Sequence, residues 1–292
     1  MESPLQLLAA AEYAASRGRA VDVALRVGPQ LAETAQRLIE MRALFGTVQP
    51  YFGIPWGMLA SHRSWLVGDG FSGQFQTAMS TIGARTVTLL DDGMMTLPLA
   101  RSLTGTRVYA RPGHPTSRRR TALASLTRDR LLALAARESL SFFTAFAGHE
   151  SLGTLGAHGI AVEENTFAWL RRTGTPVPLP ADSVVLGSAA VTDGSLSTAD
   201  YLAWVRSVTR HADSTVAYLP HRREHPDLLA AVAGLPHMAV VRTGLPVELA
   251  LAGGDRAMRI ATLPSTAAIT LACVLAGTGS TITTQELREP VR

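Results

Sequence analysis

Three short segments in the last third of the chain carry residue types that a nucleotide-binding site needs: His221, Glu248 and the pair Ser265-Thr266. His221 follows a short apolar run that predicts a buried strand, and open α/β sheets bind ligands just beyond such strand ends. Ser265 and Thr266 precede another apolar run, so they are predicted to cap a buried helix, whose N-terminus attracts phosphate. Glu248 opens a helical stretch, from which a carboxylate can accept hydrogen bonds from a ribose diol. Together these residues predict a site for a nucleoside monophosphate.

A second candidate is Asp91-Asp92-Gly93, directly after the predicted strand 86–90. Mutual repulsion or burial of two carboxylates raises one pKa toward that of a useful general base. The same three residues are also typical of a turn. A carboxylate pair can also hold a metal ion for a nucleotide diphosphate, although the sequence displays no companion ligand. Base, turn and metal site all stay open at this stage.

The segment Gly68-Asp69-Gly70 continues to Gly73 and so matches the spacing G-x-G-x-x-G of a dinucleotide-binding turn. Asp91 and Asp92 stand about twenty residues further on, where that pattern expects an acidic residue. However, the preceding strand is not the first predicted in its domain. A tight structural turn, or a loop on the acceptor side of a transferase, is therefore favoured over cofactor binding.

Length and composition limit the classes of protein to which the chain can belong. The chain has 292 residues, of which 47% are hydrophobic, and this is enough for two domains. We expect a soluble, cytoplasmic protein, because no apolar run is long enough to span a bilayer and because the single cysteine, Cys273, lies in an apolar helix-like run and cannot form an intramolecular disulfide. The net charge of +4 is smaller than that expected of a nucleic-acid-binding protein. The basic run 118–120 is predicted to be a solvated loop in preference to a contact with an anionic acceptor or a membrane surface.

The order of strand-like and helical runs predicts an α/β fold. Such runs alternate in residues 21–90 and again in 183–275, which indicates parallel sheets flanked by helices, whereas residues 121–170 are predicted to be mainly helical. Residues 171–180 are rich in proline and glycine, as linkers are. We therefore expect two Rossmann-like domains, 1–172 and 173–292, with parallel sheets facing a central cleft, the arrangement called GT-B.

Taken together, these residues resemble the bacterial sialyltransferases of glycosyltransferase family 52 and the polysialyltransferase group. Members share a D/E-D/E-G motif, a histidine motif usually written His-Pro, and a Ser-Ser or Ser-Thr motif. Here the first is Asp91-Asp92-Gly93 and the third is Ser265-Thr266. The opening Ser3-Pro4-Leu5-Gln6-Leu7-Leu8 and the segment Val185-Leu186-Gly187-Ser188 are similar as well, so the resemblance covers nearly the whole chain.

The histidine motif departs from the family's pattern. His221 is followed by Arg222, and the literal His-Pro of this chain is His225-Pro226. We prefer His221 because it ends a predicted strand and because Glu224, Glu248 and Ser265 accompany it. His225 stays open as a competitor.

The resemblance implies an inverting transfer of sialic acid, or a related ulosonic acid, from a CMP-activated donor to a hydroxyl on a glycan or small-molecule acceptor. It makes Asp92 the general base, supported by Asp91, and it implies that His221 stabilises or protonates the departing phosphate of CMP. The implied reaction uses no metal and no cofactor. The remaining implied residues bind the two substrates: on the donor side Gly187, Ser188, Arg222, Pro246, Glu248, Ser265 and Thr266, and on the acceptor side Ser3, Gln6, Gly68, Asp69 and Gly70. Two other classes stay open, an NAD-type oxidoreductase, suggested by residues 68–73, and a non-catalytic nucleotide-binding protein.

Overall fold

Helices and parallel strands alternate along most of the chain in the computed structural model, which describes residues 1–114, 117–210 and 214–286. Two compact units divide the chain, Met1–Trp169 and Leu170–Arg292. The boundary placed from the sequence, between residues 172 and 173, lies a few residues further along the chain. The prediction of an α/β fold with parallel sheets is confirmed. No helix within the described residues is long and apolar enough to cross a bilayer.

The first unit contains two parallel sheets. A pair of strands, β1 (Val21–Arg26) and β2 (Phe45–Tyr51), forms one of them. The other has four strands in sequential order, β3 (Ser64–Val67), β4 (Thr86–Leu90), β5 (Leu140–Thr144) and β6 (Ala161–Glu164). The helices of this unit are α1 (Pro4–Arg17), α2 (Pro29–Glu40), α3 (Trp56–Ser61), α4 (Gly73–Thr81), α5 (Thr96–Leu103), α6 (Arg118–Ala135) and α7 (Glu150–Gly153), with a short 3₁₀ helix at Leu155–His158. Helix α8 (Ala168–Thr173) spans the boundary between the two units.

Helix α1 explains the local sequence of the chain's opening. The Ser3 hydroxyl accepts a hydrogen bond from the Gln6 N–H at 3.4 Å, Pro4 occupies the first turn, and Gly18 ends the helix with φ at 58°. The apolar side of α1 is buried, and it packs against β4 and β5. This packing brings Gln6 close to the end of β4.

Two sequence predictions for the first unit are corrected. Residues 121–170 are not mainly helical beyond α6, because they contain the strands β5 and β6. The run 118–120 is not a loop, since these arginines form the first turn of α6, where the Ser117 hydroxyl accepts a hydrogen bond from the Arg120 N–H. A serine cap favours a helix start even in front of consecutive arginines.

The described residues of the second unit form a five-stranded parallel sheet in the order β11-β10-β7-β8-β9. Its strands are β7 (Ser183–Leu186), β8 (Val216–Leu219), β9 (Met238–Val240), β10 (Arg259–Thr262) and β11 (Thr281–Thr284), and its helices are α9 (Thr198–Thr209), α10 (Pro226–Ala233), α11 (Val247–Leu251) and α12 (Thr266–Val274). Strands β8 and β9 extend the sheet from one side of β7, and β10 and β11 extend it from the other. The strand order therefore reverses at β7.

Candidate functional site

The reversal of strand order at β7 places one set of residues at the position where α/β sheets bind ligands. At such a switch point the loops on the two sides of the central strand diverge and leave a crevice at the carboxyl edge. Gly187 and Ser188 follow β7, His221 follows β8, and Ser265 and Thr266 follow β10. We call these five residues the switch-point edge. Sequence reasoning had assigned all five to the donor side, and the sheet brings them to the same edge.

Glu224 holds two loops of this edge together. Its carboxylate is 8% exposed, and it accepts hydrogen bonds from the backbone N–H of Ser188 at 2.9 Å and of His221 at 3.1 Å. It also accepts from the hydroxyls of Tyr218 at 2.6 Å and Tyr201 at 3.2 Å. Burial raises the pKa of Glu224, while these four donors act in the opposite direction. Glu224 therefore fixes where Ser188 and His221 lie.

Close backbone approach requires a glycine at position 187. A Cβ atom there would lie 2.7 Å from Glu224 Oε2 and would also overlap the His221 backbone nitrogen. The Gly187 N–H donates to the Leu219 carbonyl at 2.8 Å, which continues the pairing of β7 with β8. A residue without a Cβ atom at position 187 is thus needed for the Glu224 contacts.

His221 is arranged as a neutral hydrogen-bond donor. Its Nδ1 accepts a hydrogen bond from the Arg223 N–H at 3.2 Å, so the neutral ring carries its proton on Nε2. Burial lowers the pKa of His221, and the positive charges of Arg223 and Arg222 lower it further. At neutral pH the ring is therefore an uncharged imidazole with Nε2–H as its donor.

The competing histidine occupies a different environment. The side chain of His225 is 71% exposed, and His225 caps α10, with Nδ1 accepting from the Asp227 N–H at 3.3 Å. Pro226 then takes the first helical position, where proline is favoured. The literal His-Pro pair is thus explained by helix capping, and the position after β8 favours His221 for a ligand contact.

Ser265 is the N-cap residue of α12, as predicted. Its hydroxyl lies 3.4 Å from Thr262 Oγ1 and, among the described contacts, does not bond to the first turn of the helix. The first turn of a helix presents backbone N–H groups that need an acceptor, and its dipole favours negative charge. Thr266 begins α12 and stands beside Ser265 at this terminus.

Glu248 is buried in the packing of α11 against α12. It is 7% exposed and accepts a hydrogen bond from Thr270 Oγ1 at 2.6 Å. Burial raises the pKa of Glu248. Pro246 is the N-cap residue of α11. The contact with Thr270 ties Glu248 to α12, while its contact with a ribose stays a prediction.

In the first unit, Asp92 lies at the end of β4 and contacts residues that sequence reasoning did not connect with it. Its Oδ1 accepts a hydrogen bond from Gln6 Nε2 at 2.7 Å, and Arg111 stands 3.7 Å from its Oδ2. The Asp92 side chain is 20% exposed. Burial raises its pKa, whereas Gln6 and Arg111 act to lower it. A partly exposed carboxylate with a raised pKa has the properties of a general base.

Asp91 points to other partners. It is fully buried, and its carboxylate accepts hydrogen bonds from the Thr144 hydroxyl and, at 2.8 Å, from the Ala145 N–H. Burial raises the pKa of Asp91 to about 6. Asp91 thus ties the end of β4 to the end of β5, while Asp92 faces Gln6 and Arg111.

Asp69 is the third carboxylate in this region. It forms an ion pair with Arg111 and accepts a hydrogen bond from the Phe71 N–H at 2.8 Å. Burial, assisted by the negative charge of Asp92, raises the pKa of Asp69 to about 6. Arg111 therefore lies between two carboxylates whose pKa values are both raised.

The glycines of the formal dinucleotide pattern have a packing explanation. A Cβ atom at Gly68 would overlap the Gln6 side chain, and one at Gly70 would lie 2.6 Å from Leu99 Cδ2. Protein side chains thus occupy the space that a cofactor phosphate would need beside these two glycines. The described residues also contain no group of three or more His, Cys, Asp or Glu side chains placed to hold a metal ion.

Sequence reasoning missed Arg111, and it named Glu224 only as a companion of His221, without a role of its own. Arg111 is separated from Asp69 by 42 positions, and the sequence carries no spacing signal that links them. The carboxylate of Glu224, by contrast, is only three positions from His221, and that short separation is a usable signal for a turn closed by a side chain.

Comparison with models of known protein families and with curated protein sequences finds no match for this chain.

Proposed function

We propose that this chain is an inverting, metal-independent glycosyltransferase that moves sialic acid, or a related ulosonic acid, from a CMP-activated donor to a hydroxyl acceptor. The observation that carries the proposal is the switch-point edge, where Gly187-Ser188, His221 and Ser265-Thr266 meet at one edge of a parallel sheet. The GT-B arrangement expected from the sequence is part of the proposal, with a donor-binding second unit and an acceptor-binding first unit.

The donor phosphate is assigned to the terminus of α12. The N–H groups of its first turn and the hydroxyls of Ser265 and Thr266 suit a single phosphate. The Nε2–H of His221 donates a hydrogen bond to the same phosphate, because the neutral tautomer described above presents a proton there. A hydrogen bond of this kind stabilises the negative charge that CMP takes with it when it leaves.

The acceptor hydroxyl is assigned to Asp92. Its carboxylate takes the hydroxyl proton as the acceptor oxygen bonds to the anomeric carbon and the bond from that carbon to the CMP phosphate breaks. Attack on the face opposite CMP inverts the configuration. Gln6 holds one carboxylate oxygen of Asp92 and so orients it toward the acceptor. Asp91 supports this position by fixing the end of β4 to β5.

The test is calorimetric binding of CMP, with UDP and NAD as controls, to the wild type and to the double variant Ser265→Ala, Thr266→Ala. We expect selective CMP binding that weakens about 10- to 100-fold in the variant, because hydrogen bonds to a charged phosphate are lost. The matched control is Ser207→Ala, Thr209→Ala, which removes the same two hydroxyl types from the last turn of α9. Equal weakening in both variants, absent CMP binding or preferential NAD binding would each contradict the proposal.

A non-catalytic nucleotide-binding protein would give the same CMP result, so turnover is measured separately. Wild-type protein should form CMP from CMP-activated sialic acid in the presence of an acceptor. The variant Asp92→Asn should bind CMP normally but form CMP from the donor far more slowly. CMP binding without any release, across neutral and anionic acceptors, would favour the binding protein.

A further inference from the structure

The first unit contains a cavity of about 1170 Å³ to which the proposed function assigns no substrate. It lies between the start of α4, the first half of α6 and the segment 105–111. Pockets for drug-sized ligands measure about 300 to 1,000 Å³, so this one has room for more than a single sugar ring.

The charges that line the cavity do not balance. Five arginines and two carboxylates belong to the lining, namely Arg26, Arg107, Arg111, Arg120, Arg128, Glu2 and Asp69. Arg26 pairs with Glu2 at 2.7 Å, and Arg111 pairs with Asp69. The other three arginines have no carboxylate within ion-pair distance in the described part of the chain, and Arg128 donates from Nε to the Ser102 carbonyl at 2.8 Å. Three arginines of the lining are thus not paired with a carboxylate among the described residues.

The start of α6 increases the positive potential. Its first turn holds three consecutive arginines and no acidic residue, although a helix N-terminus already carries partial positive charge. Arg120 and Arg128 lie on the face of α6 that lines the cavity. Ser72 and Gly73, at the start of α4, line it as well. An arrangement that is unfavourable for the empty protein becomes favourable when an anion occupies the cavity.

One residue of the cavity lining lies beside the proposed general base. Arg111 belongs to the lining and stands 3.7 Å from Asp92 Oδ2. Tyr109, which precedes it in the same segment, donates from its buried hydroxyl to the Gly70 carbonyl and so fixes the segment to the loop after β3. Arg111 therefore connects the cavity with Asp92.

Resting on the proposed function, we infer that the cavity binds an acceptor saccharide that carries a carboxylate or phosphate group. The anionic group binds to Arg107, Arg120 and Arg128, while the reacting hydroxyl lies at the Arg111 end, near Asp92. Arginine is suited to this role because its planar guanidinium forms paired hydrogen bonds with either oxyanion.

Binding is tested in the absence of any donor, by calorimetry with three probes: lactose, sialyllactose for the carboxylate and a lactose phosphate for the phosphate. The test variant carries Arg107→Gln and Arg120→Gln together. The matched control carries Arg118→Gln and Arg119→Gln together. Both double variants lose two positive charges, but Arg118 and Arg119 are not part of the lining. Each protein is first checked for unchanged circular dichroism.

We expect the wild type to bind at least one anionic probe about tenfold or more tightly than lactose. The first double variant should lose about 10- to 100-fold of that affinity, and the control less than about threefold. The better of the two anionic probes identifies the group. Equal binding of lactose, no binding of either anionic probe, or equal losses in the two double variants would overturn the inference.

A CMP titration of the same proteins separates this inference from the proposed function. CMP binding without any preference for the anionic saccharides removes the inferred acceptor class and leaves the transferase proposal standing. Selective binding of an anionic saccharide by a protein that does not bind CMP supports the cavity's role and removes the transferase proposal.

Discussion

Replacing Asp91 by asparagine should stabilise the protein above pH 6, although the residue belongs to the acidic motif. Asp91 is fully buried, and burial raises its pKa from the ordinary 3.8 to about 6. A pKa raised by folding means that the folded protein favours the protonated carboxyl. The stability that this group contributes is therefore complete below about pH 4 and is lost as the pH rises to about 6.

The size of the effect follows from the pKa shift. A shift of about two units corresponds to roughly 3 kcal/mol of unfolding free energy. Asparagine keeps an oxygen acceptor for the Ala145 N–H, and its amide can donate to the Thr144 hydroxyl oxygen, so the contacts are largely preserved. The asparagine variant should equal the wild type near pH 4 and exceed it by up to about 3 kcal/mol at pH 8.

The assay is urea unfolding at pH 4, 6 and 8, followed by circular dichroism and tryptophan fluorescence. Asp69 also has a raised pKa, so the wild-type curve alone does not isolate Asp91, whereas the difference between the two proteins does. Asp227→Asn is the control, because that side chain is 92% exposed and should change stability by less than about 0.5 kcal/mol. A difference that does not depend on pH, or an asparagine variant less stable than the wild type at pH 8, would show that the hydrogen bonds outweigh the cost of burying the charge.

Three further substitutions test the two regions. Asp92→Asn should reduce the rate of sugar transfer at least about 100-fold while CMP affinity stays unchanged. The transfer rate of the wild type should decline as acidification protonates Asp92, whose pKa is raised. Unchanged turnover of the variant would refute the assignment of Asp92 as the base. Gly187→Ala should lower the unfolding free energy by about 1 to 3 kcal/mol and weaken CMP binding in calorimetry, because the added Cβ overlaps Glu224. Gly234→Ala is the control, since a Cβ there meets no atom closer than 3.5 Å, and it should change neither quantity. Glu224→Gln should weaken CMP binding about tenfold, since an amide N–H then faces the His221 N–H; calorimetry showing wild-type affinity would mean that Glu224 does not position the edge.

Strands were predictable from the sequence where β-branched or apolar runs are bounded by turn residues. The predicted strand 86–90 is confirmed with the same bounds, as β4. β5 was missed because its short run of Leu140 to Thr144 follows the long helix α6 and lacks a distinct alternation. β6 and β11 were missed because edge strands with polar residues carry little apolar signal.

The candidate site was predictable only in part, for a related reason. His221 can be recognised from the apolar run before it and Ser265 from the apolar run after it, and the parallel pairing of the strands then brings both residues to one edge. Contacts between distant positions carry no such signal: Gln6 reaches Asp92 across 86 residues, and Arg111 reaches Asp69 across 42. Those contacts arise from the packing of α1 and of the segment before α6, which local patterns do not specify.

The strand order of the second unit also delays the completion of its central strand pairing while the chain is being synthesised. Strand β7 is the central strand, but its second neighbour, β10, comes late: Arg259 pairs with Ser183, 76 residues earlier. A ribosome that adds about 5 to 20 residues per second needs roughly 4 to 15 seconds for that distance. During this interval one edge of β7 has no partner, and an unpaired strand edge can join a neighbouring chain. The yield of folded protein should therefore depend on translation speed and on the concentration of nascent chains, because the topology that reverses the strand order at β7 also leaves that strand incomplete the longest.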